Sequence, residues 1–77
     1  MNSNKLLSFE LRETNEELEI HCNQEGIDTL IRCLELVKKH KTHEHLITDA
    51  WGGDELTSEL QGQGNKLVNK VTIRYWP

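Results

Sequence analysis

The stretch Leu18-Glu19-Ile20-His21-Cys22-Asn23-Gln24-Glu25-Gly26-Ile27-Asp28-Thr29-Leu30-Ile31-Arg32-Cys33-Leu34 decides the fold, because its hydrophobic period changes partway along. Leu18, Ile20 and Cys22 alternate with Glu17, Glu19 and His21, the two-residue period of a strand that buries one face. From Ile27 the spacing becomes three and four, through Leu30, Ile31, Leu34 and Val37, which places these residues on one stripe of a helix. Asn23, at the junction, is a good N-cap residue. Glu25 and Asp28 put negative charge in the first turn, and Lys38, Lys39, His40 and Lys41 put positive charge in the last, as the helix dipole favours. Gly26 lowers helix propensity near the start and leaves that boundary loose. Leu36 falls almost opposite the stripe, either as a singly exposed leucine or as a contact for a partner.

Upstream, Leu7-Ser8-Phe9-Glu10-Leu11-Arg12 alternates in the same way. The link Glu13-Thr14-Asn15-Glu16 holds an Asn that tolerates a left-handed turn. Residues 6–12 and 17–23 therefore read as an antiparallel hairpin. Downstream of the helix, residues 43–51 read as a third strand that Gly52-Gly53 ends. Glu55 to Leu60 reads as a short edge strand or an irregular loop, and Gly62-Gln63-Gly64-Asn65 as a turn. Leu67 to Trp76 alternates again through Val71, Ile73 and Tyr75, so it reads as one strand. Together these elements predict an α+β fold of two layers. An antiparallel sheet packs on one main helix in the order β-β-α-β-(β)-β, with its other face open to solvent. The apolar sheet face expected against the helix carries Phe9, Leu11, Leu18, Ile20, Cys22, Val71, Ile73 and Tyr75.

At 77 residues the chain suits a single domain spanning 1–77. Such a chain buries only ~60% of its unfolded surface, too little for a deep enclosed pocket. Thirteen acidic residues against nine basic give a net charge of −4. That balance argues against a general nucleic-acid binder, which needs a basic surface to displace counterions. No stretch reaches the ~18–20 apolar residues of a membrane helix, and the first residues lead into no secretory segment. Two cysteines, Cys22 and Cys33, are too few for a disulfide scaffold. The expectation is a small, acidic, soluble, cytoplasmic protein.

Catalytic signals are sparse. No nucleophile elbow, P-loop or dinucleotide fingerprint is present, and no helical pattern follows Gly62-Gln63-Gly64 to offer a phosphate its N-terminus. His21 and Cys22 are strand neighbours that point to opposite faces, so they do not form a nucleophile pair. Both cysteines read as small core residues. His40, His43 and His45 cluster, and His43 and His45 share a strand face. Glu44 points the other way, however, and no cysteine pair stands at ligand spacing. No enzyme, cofactor or metal site is expected.

Charge patterning is more informative. Between Glu44 and Glu59 lie five acids (Glu44, Asp49, Asp54, Glu55 and Glu59) and no lysine or arginine, with Trp51 among them. An aromatic set in acids beside a glycine turn has the composition of an anchor for a basic partner. The alternative is a solvated acidic loop whose Trp51 is tucked into the core.

The stretch His43-Glu44-His45-Leu46-Ile47-Thr48-Asp49-Ala50-Trp51-Gly52-Gly53-Asp54-Glu55-Leu56, then Gly62-Gln63-Gly64-Asn65-Lys66-Leu67-Val68 and the terminal Val71-x-Ile73-x-Tyr75-Trp76-Pro77, resembles the immunity protein 32 family. The resemblance covers most of the chain, from the second strand onward, and its Trp-Gly-Gly-x-Glu-Leu core is its most specific part. It implies a small α+β protein of a bacterial polymorphic or contact-dependent toxin system. Such a protein binds and neutralises a cognate toxin domain inside the producing cell, without catalysis. If the toxin is a nuclease, an acidic inhibitor mimics the phosphate backbone its active site holds. The expected contact residues are Asp49, Trp51, Asp54, Glu55 and Glu59. Rival surfaces are the outer sheet face (Glu17, Glu19, His21) and the exposed helix side (Arg32, Glu35, Leu36, Lys39). The expected partner is the toxin, with no nucleic acid or membrane, and the protein itself a monomer or weak homodimer. A metal-binding or self-associating module without a toxin is the competing reading.

Overall fold

The computed structural model describes residues 4–77. In chain order the elements are β1 (Leu7–Leu11), β2 (Leu18–Cys22), α1 (Gln24–His40), β3 (His43–Ile47), a 3-10 turn (Asp49–Trp51), β4 (Lys66–Val68) and β5 (Lys70–Arg74). The architecture is α+β, with one long helix packed against antiparallel sheets.

The hairpin forms as the alternation predicts. β1 and β2 pair antiparallel with Phe9 opposite Ile20 and Leu11 opposite Leu18, and Asn15 takes the left-handed turn conformation with φ of 61°. Two other expectations need correction, and one that stood open is decided. The strand expected over 43–51 ends at Ile47, where the chain winds into the 3-10 turn. Of the edge strand or irregular loop expected from Glu55 to Leu60, the loop forms, tied to the end of β3 by one parallel bridge between Thr48 and Leu56. The last strand is broken at Asn69. Its first part, β4, pairs with β1, and its second, β5, pairs with β3. There are therefore two sheets, ordered β2-β1-β4 and β3-β5, where alternation had suggested one. Buried Thr48 fixes the break, its amide donating to the Asn69 carbonyl at 3.0 Å and its hydroxyl to Asn69 Oδ1 at 2.7 Å.

The start of α1 explains the helix's orientation. Asn23 caps it, accepting the Gly26 amide at 2.9 Å on Oδ1, and the same oxygen accepts the Leu6 amide at 2.9 Å. The Asn23 amide donates in turn to the Leu6 carbonyl at 3.1 Å. Helix and β1 are thus held together at this point, and Gly26 lies so close that a Cβ would sit 1.8 Å from the Leu6 carbonyl oxygen. This approach turns the small residues inward: Gly26, Thr29 and Cys33 are buried, with Val37 continuing the line. Leu30 packs at the edge of the core. Ile27, Ile31 and Leu34, expected on the buried stripe, lie on the flank about half exposed. The period was legible in the sequence, but the phase was set by the one residue without a side chain.

The core consists of Leu7, Phe9, Cys33, Leu46 and Leu56, flanked by Leu30, Val68, Val71 and Ile73. Burial pushes the Cys33 thiol up, consistent with a small core residue. Cys22, assigned to the core by parity, is exposed. It lies with Leu18 and Ile20 on β2, an edge strand whose far side no described element covers.

Gly26→Ala should lower stability by about 2–3 kcal/mol, as overpacking against rigid backbone does, and so lower the melting midpoint by roughly 10–20 °C in a domain of this size. A thermal melt followed by circular dichroism checks this. An unchanged midpoint would mean that the helix does not approach β1 so closely.

Candidate functional site

The loop between β3 and β4 carries every residue expected to contact a partner, and backbone hydrogen bonds hold much of it rigid. The Trp51 and Gly53 amides donate to the Thr48 carbonyl at 3.0 and 2.9 Å, and the Gly52 amide to the Asp49 carbonyl at 3.0 Å. Gly52 takes the left-handed conformation with φ of 89°, which glycine adopts without penalty. Further along, the Leu56 amide donates to the Ile47 carbonyl at 3.2 Å and the Thr57 amide to the Leu7 carbonyl at 2.7 Å. The Thr57 hydroxyl oxygen accepts the Leu7 amide at 3.0 Å, so the loop is joined to both sheets.

On this frame the five expected residues part company. Trp51 is 63% exposed, which decides between core and surface in favour of the surface. Asp49, Asp54 and Glu59 are exposed and line one shallow groove of about 330 Å³, with Lys5 at its side. The Ser58 hydroxyl donates to Asp49 Oδ1 and accepts the Ala50 amide, which steadies that wall. Glu55 is different: it is half-buried and its Oε1 accepts the Ile47 amide at 3.1 Å. Burial pushes its carboxyl up, but that hydrogen bond and its neighbours outweigh burial and leave the pKa lowered. Glu55 therefore holds the loop to the end of β3, while Asp49, Asp54 and Glu59 face outward.

A second polar cluster was not foreseen. Alternation placed Ser8 and Glu10 on an open sheet face, yet both are fully buried. Residues 61–65 close over them. Glu10 accepts hydrogen bonds from the Gln61 amide at 2.9 Å, the Gly62 amide at 2.9 Å, Asn65 Nδ2 at 3.0 Å and the Ser8 hydroxyl at 2.6 Å. Burial alone pushes this carboxyl up, but the four donors outweigh it and hold the pKa lowered to about 2. Asn65 Nδ2 also reaches Glu19 Oε1 at 3.0 Å, and His21 Nε2 lies 2.9 Å from the same oxygen. These bonds, His21 first, lower the Glu19 pKa. The available signal was the pairing of two outward acids, Glu10 and Glu19, with a glycine-rich turn ending in Asn65. Ser8 and Glu10 are closed off from solvent, so this hydrogen-bonded pair positions the loop and offers no substrate a path.

The histidines form a third group. His43 and His45 meet edge to face with ring centroids 5.0 Å apart, and His45 Nδ1 lies 3.0 Å from Thr72 Oγ1. Burial, then Lys70, His43 and Arg74, lower the His45 pKa; the lysine and arginine beside it oppose a bound cation. Among the described residues no group of three or more His, Cys, Asp or Glu is placed to hold a metal ion, and no helix is long and apolar enough to cross a membrane.

Comparison with family models, curated proteins and solved structures finds no match.

Because the Glu10 pKa is depressed from 4.5 to about 2, its stabilisation is complete above pH 4.5 and is lost as pH falls toward 2. Glu10→Gln should cost about 2–4 kcal/mol at pH 7, since an amide cannot accept all four donors. The variant's stability should also change less than the wild type's between pH 4.5 and 2. Denaturant titrations at stepped pH check this; parallel pH profiles for the two proteins would contradict it.

Proposed function

We propose that this chain neutralises a bacterial toxin domain by binding it, inside the producing cell, through the acidic loop. The observation that carries the reading is Trp51, 63% exposed on a hydrogen-bonded turn beside three outward carboxylates. A large indole left in water by a folded chain is the side chain type that dominates interface energetics, and acids around it select a basic partner. The motif Trp51-Gly52-Gly53-Asp54-Glu55-Leu56, with its resemblance to the immunity protein 32 family, supplies the toxin as that partner.

In this reading Asp49, Asp54 and Glu59 speed encounter with a basic surface, such as the phosphate-binding cleft of a nuclease. Trp51 then desolvates in a pocket of the toxin and slows dissociation. Glu55, the Gly52 turn and the Thr48–Asn69 contacts keep the loop in its bound shape beforehand, which reduces the ordering cost of association. Binding alone is enough for inhibition, and the loop takes no part in any covalent step.

The test is calorimetry against inactivated toxin domains, beginning with any encoded by a neighbouring gene, at two salt concentrations. Tight one-to-one binding is expected, weakening with salt. Trp51→Ala should weaken binding by about 2 kcal/mol or more, roughly 30-fold, and leave the melting midpoint unchanged because the indole packs on little. Asp54→Asn with Glu59→Gln should mainly slow association and flatten the salt dependence. Binding that none of these substitutions alters would refute the acidic loop as the contact. Absence of binding would refute the function.

A further inference from the structure

The edge strand β2 and the helix α1, which meet where Gly26 lies against Cys22, both expose apolar side chains that the acidic loop does not account for. Leu18 and Ile20 on β2 are 50% and 45% exposed, and Ile27, Ile31 and Leu34 on α1 are exposed to a similar degree. The β1–β2 register puts Leu18, Ile20 and Cys22 on the same sheet face as Phe9 and Leu7, the face that packs with Cys33 of the helix. β2 is an edge strand, paired on one side only among the described residues. Exposed apolar residues beside an open strand edge are what folded proteins ordinarily cover.

We propose that this surface is the interface of a homodimer, formed by antiparallel pairing of β2 with β2 of a second copy about a two-fold axis. Charge complementarity selects a second copy as the occupant. With the axis at Ile20, Leu18 faces Cys22 of the partner subunit, and Glu19 faces His21 of the partner subunit. On the outer face, Glu19 and His21 already meet at 2.9 Å within one chain, so the two copies close a ring of alternating acid and imidazole. The same rotation runs the two helices in opposite directions. An antiparallel pair centred between Ile31 and Leu34 then places each Ile31 against Leu34 of the partner subunit and each Asp28 beside Lys38 of the partner subunit. The acidic first turn of each helix thus meets the basic last turn of the other.

The area is that of a small, weak interface. Five large aliphatic side chains, each about half exposed, offer roughly 400 Å² per copy and the paired strand backbones add to it, against a lower bound of about 500 Å² and a standard value of about 800 Å² per partner. An isologous contact of this kind closes on itself and uses up the open edge. None of its residues belongs to the acidic groove, so dimerisation and toxin binding stand or fall separately.

Sedimentation equilibrium of the full chain from low to high micromolar concentration tests the proposal. A concentration-dependent shift from 9.0 kDa toward twice that mass is expected. Ile20→Lys should abolish the shift while circular dichroism stays unchanged, since the side chain is already half in water. Asp28→Lys and Lys38→Asp should each weaken dimerisation tenfold or more, and the two together should restore it. A wild type that stays monomeric throughout overturns the proposal, as does a dimer that survives Ile20→Lys. Should Ile20→Lys unfold the chain, the charge-reversal pair decides: no loss in the single variants, or no rescue in the double, overturns it.

Discussion

A carboxylate with no access to water organises much of this small protein. Glu10 sits in the middle of β1, fully buried, and a buried charge is costly unless hydrogen bonds replace its lost hydration. Here they do: two backbone amides, an asparagine amide and a serine hydroxyl converge on it. Charge-assisted hydrogen bonds of this kind are about twice as strong as neutral ones. Because three of the four donors come from residues 61–65, satisfying Glu10 closes that segment over the sheet. The fit has a local cost. Asn65, whose amide nitrogen bridges Glu10 and Glu19, keeps a buried amide oxygen with no hydrogen-bond partner among the described residues. Two carboxylates dictate which way that amide turns, and their demand outweighs the unmet oxygen.

The rest of the loop follows from that anchor at one end and from β3 at the other. Thr48, Glu55 and Thr57 hold residues 48–57 against Asn69, Ile47 and Leu7. Between the two anchors the chain presents Trp51, Asp54 and Glu59 to solvent on a preformed turn. Polar interactions take on this load because the apolar core is small, with six buried hydrophobic side chains among the described residues. A chain this short has little interior with which to fix a long loop. The same shortage leaves aliphatic side chains on β2 and α1 uncovered, and a second copy would complete that side of the molecule.

Much of the fold was legible from period and capping. The hairpin, the left-handed Asn15, the Asn23 cap and the helix with its charged ends are local features, set by residues next to one another in sequence. What could not be read was set by distant contacts. The helix phase depends on Gly26 meeting the Leu6 carbonyl, and a hydrophobic stripe carries no record of that approach. The split of the last strand depends on Thr48 reaching Asn69, 21 residues away. Ser8 and Glu10 looked like solvent-facing positions because alternation reports which residues differ, and it cannot show that a loop returns to cover the polar side. In the acidic segment the sequence identified the right loop but could not sort its residues: Trp51 outward, Glu55 inward.

The most direct measurement of this account is amide hydrogen exchange at Gln61 and Gly62 by NMR, in the wild type and in Glu10→Gln, near neutral pH. If Glu10 organises the loop, both amides exchange slowly in the wild type, and their protection collapses in the variant while that of β3 and β5 persists. Fast exchange at Gln61 and Gly62 in the wild type, or equal protection in the two proteins, would show that the loop is held by something other than the buried carboxylate.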